Sequence, residues 1–213
     1  MTPDLIVFDC DGVLVDSEGI TTGIIVANMA RYGLVLTQSE ATQLFVGGTM
    51  ISAGEEARRR GAALPKDWLD EIYAEMFAGL ARGVDLVQGV VEILDRAEEK
   101  GIALAVASNG PVQKMKITLG PSGLWDRLSP NIYSREHHTP KPAPDMVIHA
   151  MKVAQTRPEN TVMIDDSPSG CMSGINAGVR CLGYAAEGQG PKLAATGAEV
   201  HETMASIQAA IGL

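Results

Sequence analysis

Aromatic side chains are scarce in this chain: 4% of its 213 residues are Phe, Trp or Tyr, while 46% are hydrophobic, so its core has to be aliphatic. Basic charge is also short. A net charge of −9 excludes a nonspecific nucleic-acid or anionic-membrane surface and leaves room only for a local basic pocket. Cysteine is limited to Cys10, Cys171 and Cys181, an odd set without C-x-x-C spacing in or beside apolar runs. Such a set reads as reduced, buried thiols and suggests a cytoplasmic protein. No window approaches the ~20 apolar residues of a membrane-spanning helix, and the first apolar run is interrupted by Asp9 and Asp11, so no signal peptide is expected. Internal repeats and low-complexity segments are missing too. The expectation is a soluble chain with one domain and an insertion, or two small domains.

Short apolar runs at Leu5 to Asp9, Ile102 to Ala107, Asn131 to Ser134, Thr161 to Asp165 and Val179 to Gly183 read as buried parallel strands. Helical patterns separate most of them. Val90, Val91, Ile93, Leu94 and Ala97 precede a Lys100-Gly101 stop, while Pro144 to Gln155, Ser169 to Ala177 and Thr203 to Ile211 supply further helices. This alternation predicts an α/β fold, a Rossmann-like doubly wound parallel sheet with ligands at the carboxyl ends of its strands. Between the first and second strands, residues from about Asp16 to Arg82 read as helix, too long for a simple crossover. Thr37-Gln38-Ser39-Glu40 is a capping-box pattern, and Trp68, Leu69, Ile72, Met76 and Leu80 share one helical face. The expected organisation is therefore a catalytic core of residues 1–15 and 83–213 with an inserted helical cap of residues 16–82. Val46-Gly47-Gly48-Thr49 breaks the cap, either as a loop facing the crevice or as a helix-helix turn.

Four clusters fall where strands end. Asp9 and Asp11 project from one side after the first strand while Cys10 points away, since side chains alternate faces. Two carboxylates so close require a cation, or repulsion and desolvation would neutralise one of them. Alone, Asp11-Gly12 is as well explained by a plain turn. Ser108 and the adjacent N–H groups of Asn109 and Gly110 suit phosphate oxygens at a helix N-terminus, or a simple N-cap. Lys141-Pro142 follows the third strand, and Asp165-Asp166-Ser167 ends the fourth with two adjacent acids, an unfavourable place for charge without a metal ion.

As a set and in this order, these clusters resemble the haloacid dehalogenase-like (HAD) hydrolase superfamily over essentially the whole chain. The cap position and Asp165-Asp166-Ser167-x-x-Gly170 are similar to its β-phosphoglucomutase-like branch. Ser108-Asn109-Gly110-Pro111 followed by Lys114-Met115 is similar to sugar-acid phosphatases of the 6-phosphogluconate phosphatase type. The resemblance implies an Asp9 nucleophile forming an aspartyl-phosphate and an Asp11 general acid and base. It implies Mg²⁺ held by Asp9, the Asp11 carbonyl and Asp166. Asp165 is then either a direct ligand or a group bonded to one, because the branch often has Glu there. Ser108, Asn109 and Lys141 would bind the phosphoryl group, with Gly47 and Gly48 toward the rest of the substrate. Lys114 either meets an anionic group of the substrate or lies on a surface helix.

The implied function is Mg²⁺-dependent hydrolysis of a small phosphorylated metabolite, a sugar or sugar-acid phosphate. A phosphosugar mutase is the alternative, and a noncatalytic receiver-like switch is disfavoured by the long insertion and by the second acid of the pair. Mutases of this branch carry basic residues where this chain has Val46-Gly47-Gly48-Thr49, which favours the phosphatase. Arg58, Arg59 and Arg60 read as a solvated face, and His137 and His138 as surface residues rather than a metal site.

Overall fold

The structure, a computed structural model, describes residues 2–45, 49–186 and 188–213. Among them one parallel sheet comprises β1 (Leu5–Phe8), β2 (Ala103–Ser108), β3 (Ile132–Ser134), β4 (Thr161–Asp165), β5 (Arg180–Tyr184) and β6 (Glu199–His201). Its order is β3-β2-β1-β4-β5-β6. Strand order reverses between β1 and β4, so a crevice opens at their carboxyl ends. The first five strands match the apolar runs to within a residue or so. The sixth was not expected: Glu199-Val200-His201 contains no apolar run, lies at the sheet edge, and pairs only with β5.

The described helices are α1 (Glu18–Arg31), α2 (Gln38–Phe45), α3 (Met50–Arg59), α4 (Trp68–Leu80), α5 (Val90–Glu99), α6 (Val112–Leu119), α7 (Leu124–Leu128), α8 (Asp145–Ala154), α9 (Pro168–Asn176), α10 (Gly190–Ala194) and α11 (Met204–Ala210). Strand alternation assigns them to two faces. Ile6, Phe8, Val106 and Ile164 pack with α5, α6, α7 and α11, whereas Leu5, Val7, Ala107 and Met163 pack with α8, α9 and α10. With both faces covered, β1 and β4 are buried along their whole length, which is why they read as unbroken apolar runs. Each such fully buried aliphatic or aromatic side chain contributes about 1.5–3 kcal/mol.

Helices α1–α4 fill the long interval after β1, and they share a hydrophobic cluster of their own that includes Ile25, Met29, Phe45, Trp68, Ile72 and Met76. The expected capping box opens α2: the Glu40 amide donates to Thr37 Oγ1 at 3.2 Å and the Thr37 amide to Glu40 Oε2 at 2.8 Å. The interval is less continuous than its periodicity suggested, because the chain leaves the helix after Arg31 and Arg59, next to Gly33 and Gly61. Gly47 and Gly48 lie outside the described residues. Thr49 caps α3 by accepting from the Ser52 amide at 3.2 Å.

The cluster has one polar fixture. The Trp68 indole N–H donates to Asn28 Oδ1 at 2.7 Å in a buried setting, and the Asn28 amide donates in turn to Glu71 at 3.1 Å. Arg31 and Tyr32 also bond Glu71, tying α1 to α4. No described helix is long and apolar enough to cross a membrane, and the three cysteines are buried and unbridged. Asn28→Ala should lower stability by about 1–3 kcal/mol, since the buried indole N–H would lose its acceptor. A double-mutant cycle with Trp68→Phe, followed by urea denaturation, should show the two penalties to be coupled; additive penalties would refute the bond's role.

Candidate active site

Beyond Phe8 the Asp9 amide extends the β1 ladder by donating to the Ile164 carbonyl at 2.9 Å, which brings Asp9 out between β1 and β4, where the strand order reverses. The chain then doubles back. Gly12 N–H donates to the Val15 carbonyl at 2.8 Å, Cys10 is fully buried in the core, and Asp9 and Asp11 line one cavity as expected. Gly12 has φ +78°, and a Cβ there would lie 2.1 Å from Asp166 Oδ2, so the turn requires glycine for conformation and for close approach. Gly170 at the start of α9 is equally constrained: a Cβ would lie 1.9 Å from Asp165 Oδ2.

Lys141 is the centre of the arrangement. Its ammonium donates to Asp9 Oδ1 at 2.7 Å and to Asp165 Oδ2 at 2.6 Å, and its side chain is 3% exposed. Asn109 holds the lysine's backbone, accepting from the Lys141 amide at 2.8 Å through Oδ1 and donating to the Lys141 carbonyl at 3.2 Å through Nδ2. Its side chain therefore clamps Lys141.

Asp165 accepts three hydrogen bonds. Oδ1 accepts from the Ser167 amide at 2.9 Å and the Ser167 hydroxyl at 2.7 Å, while Oδ2 accepts from Lys141. Ser167 also caps α9 by accepting from Gly170 N–H at 3.1 Å. Asp166, by contrast, is buried and meets no hydrogen-bond donor among the described residues. Oxygens of Asp9, Asp165 and Asp166 lie within 4.8 Å of one another.

Electrostatics follow from this crowding. Burial, reinforced by Asp165 and Asp11 and opposed by Lys141, pushes Asp9 up to about 7. Burial together with Asp165, Asp9 and Glu18 raises Asp166 well above the carboxylate range. Burial works against the charge of Lys141, but Asp165 and Asp9 outweigh it and raise its pKa. At Asp11 burial is likewise outweighed, here by Lys114 and the Ser17 hydroxyl, and its carboxyl is held below the usual range. A donorless buried carboxylate beside Asp9 suits a hard divalent cation. The residues fit Mg²⁺ with Asp166 and Asp9 as carboxylate ligands; Asp165, with three hydrogen bonds already, has only an Oδ2 lone pair left to offer and serves better as a neighbour bonded to the site.

Two readings change here. Lys114 is no surface-helix lysine: it is buried, lines the cavity and sits 2.8 Å from Asp11 Oδ1, the same oxygen that accepts from Ser17. Ser108 is not at a helix N-terminus: Pro111 is extended, α6 starts only at Val112, and the Val112 amide is taken by Glu136 at 2.8 Å. Ser108 Oγ instead accepts from Gly110 N–H at 2.9 Å, leaving its own proton to donate into the cavity it lines.

Sequence reasoning missed Ser17, Glu136 and the Tyr73–Arg135 pair, in which Arg135 donates to the Tyr73 hydroxyl at 2.6 Å. Only Ser17, close behind the first acid pair, gave any local signal. Arg59 and Arg60 pair with Glu56, as a solvated face would. His138 is not simply at the surface; its ring meets Tyr133 edge-on at 5.7 Å and the tilted His149 ring at 4.8 Å, and those two rings also meet each other.

The haloacid dehalogenase-like hydrolase profile matches residues 6–184. A 6-phosphogluconate phosphatase of Escherichia coli K12 is 28% identical over 187 residues, covering 86% of this chain and 83% of that protein. A conserved haloacid dehalogenase-like protein of Agrobacterium tumefaciens C58 superposes with a TM-score of 0.87 at 28% identity, covering 98% of this chain and 97% of the other. A HAD-family hydrolase of Deinococcus radiodurans R1, solved with bound phosphate and sodium, gives 0.81 at 28% identity, covering 98% and 95%. The parallel sheet, the acids gathered at its reversal point and these similarities agree: the chain belongs to the haloacid dehalogenase-like hydrolase family.

Proposed function

We propose that this protein is a Mg²⁺-dependent phosphatase acting on a small sugar or sugar-acid phosphate. The observation that carries the reading is Lys141, buried between Asp9 and Asp165, with the donorless Asp166 beside them. That cluster offers a carboxylate nucleophile, a fixed cation for phosphoryl oxygens and a place for a metal. The phosphate bound in the Deinococcus relative supports the same assignment.

In this mechanism an Asp9 oxygen attacks phosphorus, the bond to the leaving oxygen breaks, and that oxygen takes the proton of the protonated form of Asp11, a form that Lys114 and Ser17 disfavour. Water then attacks the aspartyl-phosphate and gives its proton to Asp11; the phosphorus–Asp9 bond breaks and inorganic phosphate leaves. Lys141 and the Ser108 hydroxyl stabilise charge on the transferring oxygens, and Asn109 keeps Lys141 in position. Mg²⁺, held by Asp9, Asp166 and the Asp11 carbonyl, would supply the positive charge that lets Asp9 stay ionised beside a phosphate dianion. Residues 16–82 would act as the cap, closing the crevice over the leaving group and excluding water.

Asp9→Asn should abolish Mg²⁺-dependent phosphate release from p-nitrophenyl phosphate, and chelation of the wild type should do the same until Mg²⁺ is restored. Undiminished turnover of the variant in a phosphate assay would remove Asp9 from the nucleophile's role. Asp11→Asn should slow an alkyl phosphate by about 10²–10⁴-fold but an activated aryl ester far less, because a good leaving group needs little protonation. Equal losses with both esters would argue against Asp11 as the acid.

A further inference from the structure

The cavity at the end of β1 encloses about 130 Å³ and has two unlike ends. At one end stand Asp9, Asp11 and Asp166 with the lysines. At the other, helices α1, α2 and α4 and the start of α3 contribute Thr22, Ile25, Phe45, Met50, Tyr73 and Met76. None of these six carries charge, and neither do Val46, Gly47 and Gly48 in the intervening sequence.

Both cations lining the cavity among the described residues are committed to the protein's own carboxylates. Lys141 bridges Asp9 and Asp165, and Lys114 is paired with Asp11. The remaining charged lining residue is Glu18, an anion. A carboxylate or second phosphate on the leaving group would therefore meet no unpaired cation in the lining itself; the nearby guanidinium, Arg135, stands behind the Tyr73 hydroxyl that it bonds. Tyr73 offers something different. Its oxygen already accepts from Arg135, so its proton is left to donate to a hydroxyl or ether oxygen. Ile25, Phe45, Met50 and Met76 give the same wall an apolar surface.

We propose that the cavity selects phosphate monoesters of small, uncharged, hydroxylated alcohols and disfavours carboxylated or doubly phosphorylated analogues. This rests on the phosphatase reading above and narrows its substrate class. Lys114 then serves to position Asp11, without recognising the substrate.

The test is phosphate release, with Mg²⁺ present, from pairs that differ only in CH₂OH against COO⁻: glucitol 6-phosphate with 6-phosphogluconate, and 2-hydroxyethyl phosphate with 2-phosphoglycolate. The neutral member of each pair should have a kcat/KM at least about tenfold higher. Lys114→Met should lower turnover of both members together and leave their ratio unchanged. Equal or faster turnover of the carboxylated esters, or a Lys114→Met loss confined to them, overturns this inference while leaving the phosphatase intact. A lack of release from every ester, p-nitrophenyl phosphate included, overturns both.

Discussion

Lys141 is the constraint on which the site depends. Asp9, Asp165 and Asp166 are brought to one point because β1 and β4 are neighbours and their carboxyl ends coincide. Packed together without a cation, three buried carboxylates would repel one another and lose their water; the ammonium of Lys141, bonded to two of them, makes the arrangement tolerable. The lysine is itself costly to bury, and its position is fixed from behind by the reciprocal bonds of Asn109 to its backbone. The loop after β2, the loop after β3 and the end of β4 are thus joined through one side chain. Removing one partner of such a pair leaves an uncompensated charge, so each of these residues is placed by the others.

The compensation is incomplete, and the remainder is informative. Lys141 bonds Asp9 and Asp165, whereas Asp166 has no such partner, and burial together with Asp165, Asp9 and Glu18 raises its pKa. Glycine at positions 12 and 170 lets the chain approach these carboxylates more closely than any side chain would permit. Gly12 makes this approach to Asp166 and Gly170 makes it to Asp165, so both adjacent acids are held tightly against backbone. The nearby Asp11 is handled differently: Lys114 and Ser17 hold it by one oxygen, so the two members of the acid pair have separate electrostatic environments.

Much of this was legible in the sequence, for identifiable reasons. Strands buried on both faces appear as unbroken apolar runs, so β1, β2 and β4 were plain, whereas the edge strand β6, with an exposed polar pattern, was not. Asp9, Asp11, Ser108, Asp165 and Asp166 were readable because each lies at or just past a strand end, and Lys141 because it precedes Pro142 in the loop after β3. The partners were not. Nothing local distinguishes Lys114 facing a substrate from Lys114 facing Asp11, because the choice depends on how α6 sits against the turn after β1. Pro111 is visible in the sequence, but its effect of delaying α6 until Val112 and handing that helix's first amide to Glu136 is a tertiary matter.

The same distinction bears on specificity. Phosphoryl chemistry is set by residues at the sheet, where backbone geometry is tightly determined, and its parts can be recognised from strand ends. The rest of the cavity is formed by α1, α2 and α4, whose inward faces serve two purposes at once: Ile25, Phe45 and Met76 belong to the helices' own hydrophobic cluster and also line the cavity. A change that altered the leaving-group wall at these positions would also disturb the packing that holds α1 against α4. Polar variation is easier at Tyr73, which is only partly buried and takes its orientation from Arg135 on the sheet side. That bond crosses from α4 to the loop after β3, so the helical wall is registered against the sheet by the same hydroxyl proposed to meet the substrate.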